Sequence, residues 1–274
     1  KNTEVQIPMN NIYKCFPGGK HKVLTMSYDD GKIQDRKLVA IFNKYGIKGT
    51  FHLNAGLFEQ NDRINADEVR ELYEGHEVAA HTFTHPTIAR CPMEQVVQQI
   101  IEDRKMLESI VGYTVRGLSY PNGSYSGEII SVLPHLGIEY SRVVGSSRSF
   151  SMPDDYYIWQ ATCHHKTDLM ELAQNFADLN KKQYLYMMYV WGHSYEFDLD
   201  NNWSLIEGFC EFIGNRDDIW YATNIQIVDY MKALDNLKFS AAGDFVYNPS
   251  AINVWISVNG RIYEIGGGMQ VALS

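Results

Sequence analysis

Lys22-Val23-Leu24-Thr25-Met26-Ser27-Tyr28-Asp29-Asp30-Gly31 joins an apolar run directly to a pair of carboxylates. The first six residues read as a buried strand, so Asp29 and Asp30 fall at its C-terminal end. About fifty residues on, His81-Thr82-Phe83-Thr84-His85-Pro86 follows a second short strand, Glu77–Ala80. The two strings together offer one hard carboxylate and two imidazoles, the ligand set of a catalytic divalent metal with open coordination positions. The second carboxylate can move a proton while its neighbour holds the ion, a combination that points to metal-assisted hydrolysis.

Outward from these strings, strand and helix patterns alternate to about residue 235. After Lys22–Ser27 come helix Asp35–Tyr45, strand Ile47–Leu53, a short helix Ala66–Glu74 and strand Glu77–Ala80. Helix Met93–Val111 has apolar residues at spacings of three and four. Then follow strand Thr114–Ser119, helix Gly127–His135, strand Ile138–Val144, helix Asp168–Leu179 and strand Tyr184–Trp191. Helix Trp203–Ile213, a short strand Ile219–Ala222 and helix Asn224–Leu234 complete the series. Repeated strand–helix units predict a parallel sheet, either a barrel or a doubly wound sheet. Residues 145–166 are polar and irregular and predict a long loop over one end of the sheet. Beyond Asp235, Phe239–Tyr247 and Ile252–Val258 read as strands, and Val258-Asn259-Gly260-Arg261 as a tight hairpin. Gly266-Gly267-Gly268 is a loose turn, since no helix pattern or Lys-Ser/Thr follows it as a phosphate loop requires. The expected organisation is therefore 1–235 as the α/β domain and 236–274 as a small β appendage.

Composition narrows the function. The chain has 274 residues with 45% apolar, enough for a substantial core. Net charge is −9, from Lys+Arg 24 against Asp+Glu 33, which argues against nucleic acid or an anionic membrane as partner while leaving local basic patches open. No apolar run reaches membrane-spanning length. The chain opens at Lys1, and the sequence leaves open both a secreted or cell-envelope protein after leader removal and a cytoplasmic one. The four cysteines, Cys15, Cys91, Cys163 and Cys210, show no C-x-x-C pair, so a thiolate zinc site is not expected; disulfides and buried free thiols stay open. Aromatics make up 13%, most of them core, with an aromatic-lined cleft suited to sugars as the sharper reading.

Four polar clusters each follow a strand directly: Asp29-Asp30-Gly31, His81, Tyr120-Pro121-Asn122-Gly123 and Gly192-His193-Ser194. In a β/α barrel the active site gathers at the C-terminal strand ends. Taken singly, each has a plain reading: a helix cap, ordinary half-buried histidines, a simple turn, a histidine packed by Trp191. Taken together they converge. Asp29 and Asp30 repel each other unless one rests on a cation. His81 and His85 face one centre if their segment makes a helical turn, which Pro86 confines to a local one. His193 titrates near neutrality and suits a general acid. The Tyr120–Gly123 turn has backbone N–H groups that can face a developing oxyanion. His164-His165 offers either substrate contact or a solvated loop.

On these residues the chain resembles the polysaccharide deacetylase (NodB-homology) family, carbohydrate esterase family four, over roughly Val23 to Leu234. S-Y-D-D-G is similar to the family's T-F-D-D-G, and H-T-F-T-H-P to its H-S/T-x-x-H-P. Leu118 to Gly123 is similar to its aromatic-Pro-Gly motif, and Trp159 and Gly192-His193 to its last two motifs. The resemblance implies an α/β fold with a distorted (β/α) barrel. It also implies metal-dependent hydrolysis of acetyl groups on sugars. It implies Asp29 as general base, Asp30, His81 and His85 as metal ligands, and His193 as general acid. The Tyr120–Asn122 turn would hold the oxyanion. Ser119 stands where many members carry an arginine that braces the base; Arg116 is a candidate replacement, and Asp154 or Asp155 a candidate partner. Trp191 stands in place of the usual leucine, and with Trp159 is expected at the substrate.

The expected function is a metal-dependent deacetylase acting on an N-acetylated carbohydrate, with zinc first and cobalt, nickel or iron as alternatives. Other C–N bonds such as cyclic ureides, acetyl esters, or a catalytically weak carbohydrate-binding protein are the alternatives. The sequence does not determine oligomeric state.

Overall fold

The computed structural model describes residues 9–273. After β1 (Ile12–Cys15), eight strands make one parallel, curled sheet. They are β2 (Lys22–Asp29), β3 (Gly49–Leu53), β4 (Glu77–Ala80), β5 (Gly117–Ser119), β6 (Tyr140–Arg142), β7 (Cys163–His164), β8 (Tyr186–Gly192) and β9 (Ile219–Tyr221). Their order is β6-β5-β4-β3-β2-β8-β7. β9 pairs with β2 at residues 22–24, and β3 pairs with it at residues 26–29. Helices on the outer face, among them Asp35–Lys44, Met93–Val111 and Trp203–Ile213, complete a distorted barrel.

The alternation along β2 explains how the strand positions the site. Side chains of a strand point to opposite faces in turn. Leu24, Met26 and Tyr28 join the core between sheet and helices, while Val23 belongs to a second core inside the curl. Thr25, Ser27 and Asp29 share the parity of Val23 and are buried. Asp29 is thus the last interior residue of the strand.

That interior is polar near the base and closed by the helix Asn224–Asp235. Thr25 Oγ1 donates to Asn224 Oδ1 at 2.8 Å, and Asn224 Nδ2 donates to the Tyr189 hydroxyl at 2.6 Å. The Glu77 carboxylate accepts from Tyr140 OH at 2.6 Å, Thr50 Oγ1 at 2.9 Å and the Ile225 N–H at 2.9 Å. An acceptor at a helix N-terminus satisfies donors that the helix itself cannot. Burial nevertheless pushes the Glu77 carboxyl up to about 7 against those hydrogen bonds. The folded state therefore binds a proton that the unfolded chain has released, and stability falls as pH rises from about 4.5 to 7. Glu77→Gln is expected to flatten that part of the stability curve by on the order of 2–3 kcal/mol, read by denaturant titration at pH 5 and pH 7.5.

Several boundaries differ from the sequence expectation. The predicted strand Phe239–Tyr247 is a hairpin, β10 (Lys238–Phe239) and β11 (Phe245–Tyr247), because Gly243 turns the chain at φ 71°. β12 (Val254–Val258) and β13 (Arg261–Ile265) form the expected tight hairpin, with Asn259 at φ 51° and Gly260 at φ 86°. β14 (Gln270–Ala272) pairs with β11, and β12 takes β1 as its second neighbour. The small β region therefore draws in Ile12–Cys15 from the other end of the chain. Its Val254, Ile256 and Ile265 extend the inner core. Residues 145–166 are more than a loop. Trp159 bridges to β6 on either side of Arg142 (Val143 N–H to its carbonyl and its N–H to Ser141 O, each 3.1 Å), and the same segment then enters the sheet as β7. All four cysteines are free.

Candidate active site

Asp30 leaves β2 in the left-handed region at φ 81°, with its N–H donating to His52 O at 2.9 Å. His81 and His85 do meet, but not through a helical turn. Thr82 at φ 68° and His85 at φ 62° fold the segment back, and the two rings lie edge to face at 4.7 Å. Non-glycine residues in this region are strained, and three within one site require a surround that holds them. Asn54 Nδ2 donates to the carbonyls of His81 (2.7 Å) and Thr82 (2.9 Å). Arg63 donates to both Asn54 Oδ1 and the Asp30 carbonyl, tying the two loops together. The buried Asp103 carboxylate accepts from the N–H groups of His81 (3.0 Å) and Ala55 (2.7 Å).

The three side chains fit a divalent cation. Asp30 Oδ1 lies 3.6 Å from both His81 Nε2 and His85 Nε2. An ion about 2.0–2.1 Å from each ligand in tetrahedral geometry needs donor atoms about 3.4 Å apart. Asp30 Oδ1 is buried with no protein hydrogen-bond partner, an expensive state that a cation resolves. His81 Nδ1 faces Ser119 O at 2.8 Å, which fixes the tautomer and leaves Nε2 free to coordinate.

Asp29 faces elsewhere. Ser119 Oγ donates to its Oδ1 at 3.0 Å, and Arg142 is paired with its Oδ2. Burial would raise this carboxyl, but the Arg142 guanidinium and the nearby histidines outweigh it, so Asp29 lies well below the usual carboxylate range. Arg142 also donates to Ser27 Oγ at 3.2 Å and stacks 4.3 Å from the Trp191 ring. It is the arginine expected near Ser119, displaced by one strand: in the parallel register of β5 and β6, Ser119 is opposite Arg142. The sequence held a signal for it, one arginine amid the apolar strand Ile138–Val144, since a buried guanidinium needs a carboxylate. Arg116 does not brace the base. It pairs with Glu139 (3.0 Å) and Asp229 (2.6 Å) near the start of β5. Asp155 caps the Tyr157 N–H instead of meeting an arginine, and among the described residues Asp154 forms no ion pair with one either.

His193 stands across the site, its Nε2 4.0 Å from Asp30 Oδ2. Its Nδ1 lies 3.3 Å from Glu196 Oε2, and its N–H donates to the same oxygen at 3.0 Å. Burial lowers the proton affinity of the ring, but Glu196 and the Asp29 and Asp30 charges more than offset it, so His193 titrates above its ordinary range. Glu196, which the sequence reading missed, also meets His164 Nε2 at 3.1 Å and Lys166 Nζ at 3.2 Å. Its only sequence signal is its place three residues after His193. His164, His193 and Glu196 offer a second set of closely spaced ligand atoms. The Lys166 ammonium on the other carboxylate oxygen makes this group a hydrogen-bonded hub. His165 is fully buried, stacked 4.2 Å from Phe197 and 5.7 Å from Tyr28, so it is neither solvated nor a substrate contact.

Trp191 forms a wall of the site, edge-on to His164 at 4.7 Å and His193 at 5.9 Å. Trp159, expected beside it, is instead core: fully buried and edge-on to Tyr140, Tyr156 and Tyr189. In the turn after β5, the Tyr120 N–H is spent on Arg142 O at 3.1 Å, and Pro121 has none. The turn's remaining N–H is that of Asn122, at φ 55°, whose side chain donates to Thr87 Oγ1 at 3.1 Å. The Tyr120 hydroxyl is turned away, onto Tyr157 O at 2.8 Å.

The family model for polysaccharide deacetylase matches residues 17–141. A peptidoglycan-N-acetylglucosamine deacetylase of Bacillus cereus is 27% identical over 112 residues, covering 40% of this chain and 40% of that protein. The chain thus aligns with well under half of that relative's length. Two solved structures share the fold. A Mycobacterium smegmatis protein assigned to polysaccharide deacetylases superposes with a TM-score of 0.61 at 15% identity, over 81% of this chain and 94% of that one. A family 4 acetyl xylan esterase from Clostridium thermocellum, solved with a cobalt ion, gives 0.53 at 13% identity, over 77% and 91%.

Proposed function

We propose that this chain, whose residues 17–141 match the polysaccharide deacetylase family model, is a metal-dependent hydrolase of that family that removes acetyl groups from an N-acetylated carbohydrate. The observation that carries this reading is the division of labour between adjacent carboxylates. Asp30 is turned to two imidazoles, and Asp29 to a serine and a buried arginine.

Asp30, His81 and His85 are the ligands, and a set of two imidazoles and a carboxylate suits zinc best, with cobalt, nickel or iron also compatible. A divalent ion held by these three residues would supply a Lewis acid for the acetyl carbonyl and a more acidic water. Asp29, kept ionised by Arg142 and Ser119, takes the proton of the attacking water. The Asn122 N–H faces the oxyanion as it develops. His193, held protonated by Glu196, gives its proton to the leaving amine. Trp191, stacked on Arg142, closes the wall behind the acetyl group.

Acetate release from N-acetylglucosamine oligomers tests the reading. Chelator-treated protein is expected to lose release by at least about 10²-fold, and added Zn²⁺ to restore it with one ion bound per chain. A protein that binds one ion per chain and releases no acetate overturns it.

A further inference from the structure

The acidic chain has a basic cleft at the end of the barrel opposite Asp29. It measures about 920 Å³ and lies between the start of β2, the 179–183 turn and the β12–β13 hairpin. β2 separates the two sites: Lys22 begins the strand and Asp29 ends it, about 23 Å apart at ~3.3 Å per residue. Four lysines line the cleft, Lys20, Lys22, Lys181 and Lys182, against one carboxylate, Asp218. That carboxylate is already paired with Lys22 at 2.6 Å. Lys20 donates to a backbone carbonyl, Ile219 O at 3.2 Å, and has no acidic partner among the described residues. Lys181 and Lys182 are exposed and form no ion pair among the described residues. Among the described residues, three ammoniums therefore face one cleft without a counter-charge, in a chain of net charge −9.

The rest of the lining is not that of a plain anion trap. His21 has a buried Nδ1 with no hydrogen-bond partner, and burial and then Lys182 lower its proton affinity, so it is a neutral donor or acceptor. Asn180 and Gln183 add amides that can pair with hydroxyls. Tyr13, 46% exposed, and Ile262 supply an apolar wall on the β region. Ammoniums for an anion, amides for hydroxyls and a phenol ring for a pyranose face form the complement of an anionic sugar.

We infer that this cleft is a second carbohydrate site, distinct from the candidate active site, that binds an anionic saccharide through Lys20, Lys181 and Lys182 with Tyr13 against the sugar ring. The anion is a phosphate ester or a carboxylate, and the two are separated by experiment. The inference does not depend on the reaction at Asp29.

Calorimetric titration of the full chain with glucose 6-phosphate, glucuronate, inorganic phosphate and glucose tests it. One or both anionic sugars are expected to bind more tightly than inorganic phosphate, with glucose not bound, and affinity is expected to weaken as salt rises. The double variant Lys181→Ala, Lys182→Ala is expected to bind about tenfold more weakly, and Tyr13→Ala about threefold more weakly for the sugar but not for inorganic phosphate. Both variants are expected to keep wild-type acetate release and thermal stability, since none of these residues touches the candidate active site. Unchanged affinity in the double variant, or equal affinity for inorganic phosphate and for the better anionic sugar, overturns the inference.

Discussion

Asp29→Asn is expected to reduce acetate release by about 10²–10⁴-fold while one divalent ion per chain stays bound. The two halves of that outcome come from one geometric fact. Asp29 Oδ2 stands 3.9 Å from His81 Nε2, whereas Asp30 Oδ1 is 3.6 Å from both His81 Nε2 and His85 Nε2. Asparagine keeps the shape of the side chain and can still accept from Ser119 Oγ. It has no basic oxygen, however, and it places an amide beside the Arg142 guanidinium. Metal analysis and acetate assay on the same preparation separate the roles. Loss of the ion together with activity would make Asp29 a ligand and remove it as the base. Asp30→Asn is the counterpart, in which metal content is expected to fall first.

The second large effect lies at a residue outside the sequence motifs. Arg142→Met is expected to destabilise the fold by about 3–5 kcal/mol, because it leaves the buried Asp29 carboxylate without its cation. Its activity is expected to drop as well, with a signature that instability alone does not give. Arg142 is the main cause of the depressed Asp29 carboxyl. Removing it lets burial dominate, so Asp29 holds its proton to a higher pH, and the acidic limb of the rate profile moves upward. The sign in stability is consistent with this. A depressed carboxyl contributes stability above its ordinary range that is lost as pH falls, and the variant lacks that contribution. Arg142→Lys keeps the charge but loses the fork that reaches Asp29, Ser27 and the Val143 carbonyl together, so an intermediate shift is expected. An acidic limb unmoved in both variants would remove Arg142 as the group that keeps the base ionised. Because a metal ion also favours ionised Asp29, the profiles are to be compared at saturating metal.

Much of this chain was legible in its sequence for a local reason. Strand β4, the helix Met93–Val111 and the tight turn at Asn259-Gly260 lie where hydrophobic period and turn chemistry predict them. The Asp29-Asp30 and His81/His85 strings lie next to strands short enough to read, so their arrival at one end of the sheet followed from strand order and direction. The N–H able to serve the oxyanion narrowed to Asn122 only once Tyr120 was seen bonded to Arg142 O.

What the sequence by itself determined was the parallel sheet and the end of it at which Asp29, Asp30, His81 and His85 come together, because each depends on residues adjacent along the chain. Only the tertiary structure decided which arginine holds Asp29, that Glu196 orients His193, and that Trp159 is core while Trp191 faces the site. It also decided that Ile12–Cys15 closes the C-terminal sheet and that lysines scattered through an acidic chain share one cleft. Those outcomes depend on strand register and on which faces meet. A shift of one residue in register reverses every side chain on a strand, so two residues such as Ser119 and Arg142, twenty-three apart in sequence, become neighbours only when the sheet is built.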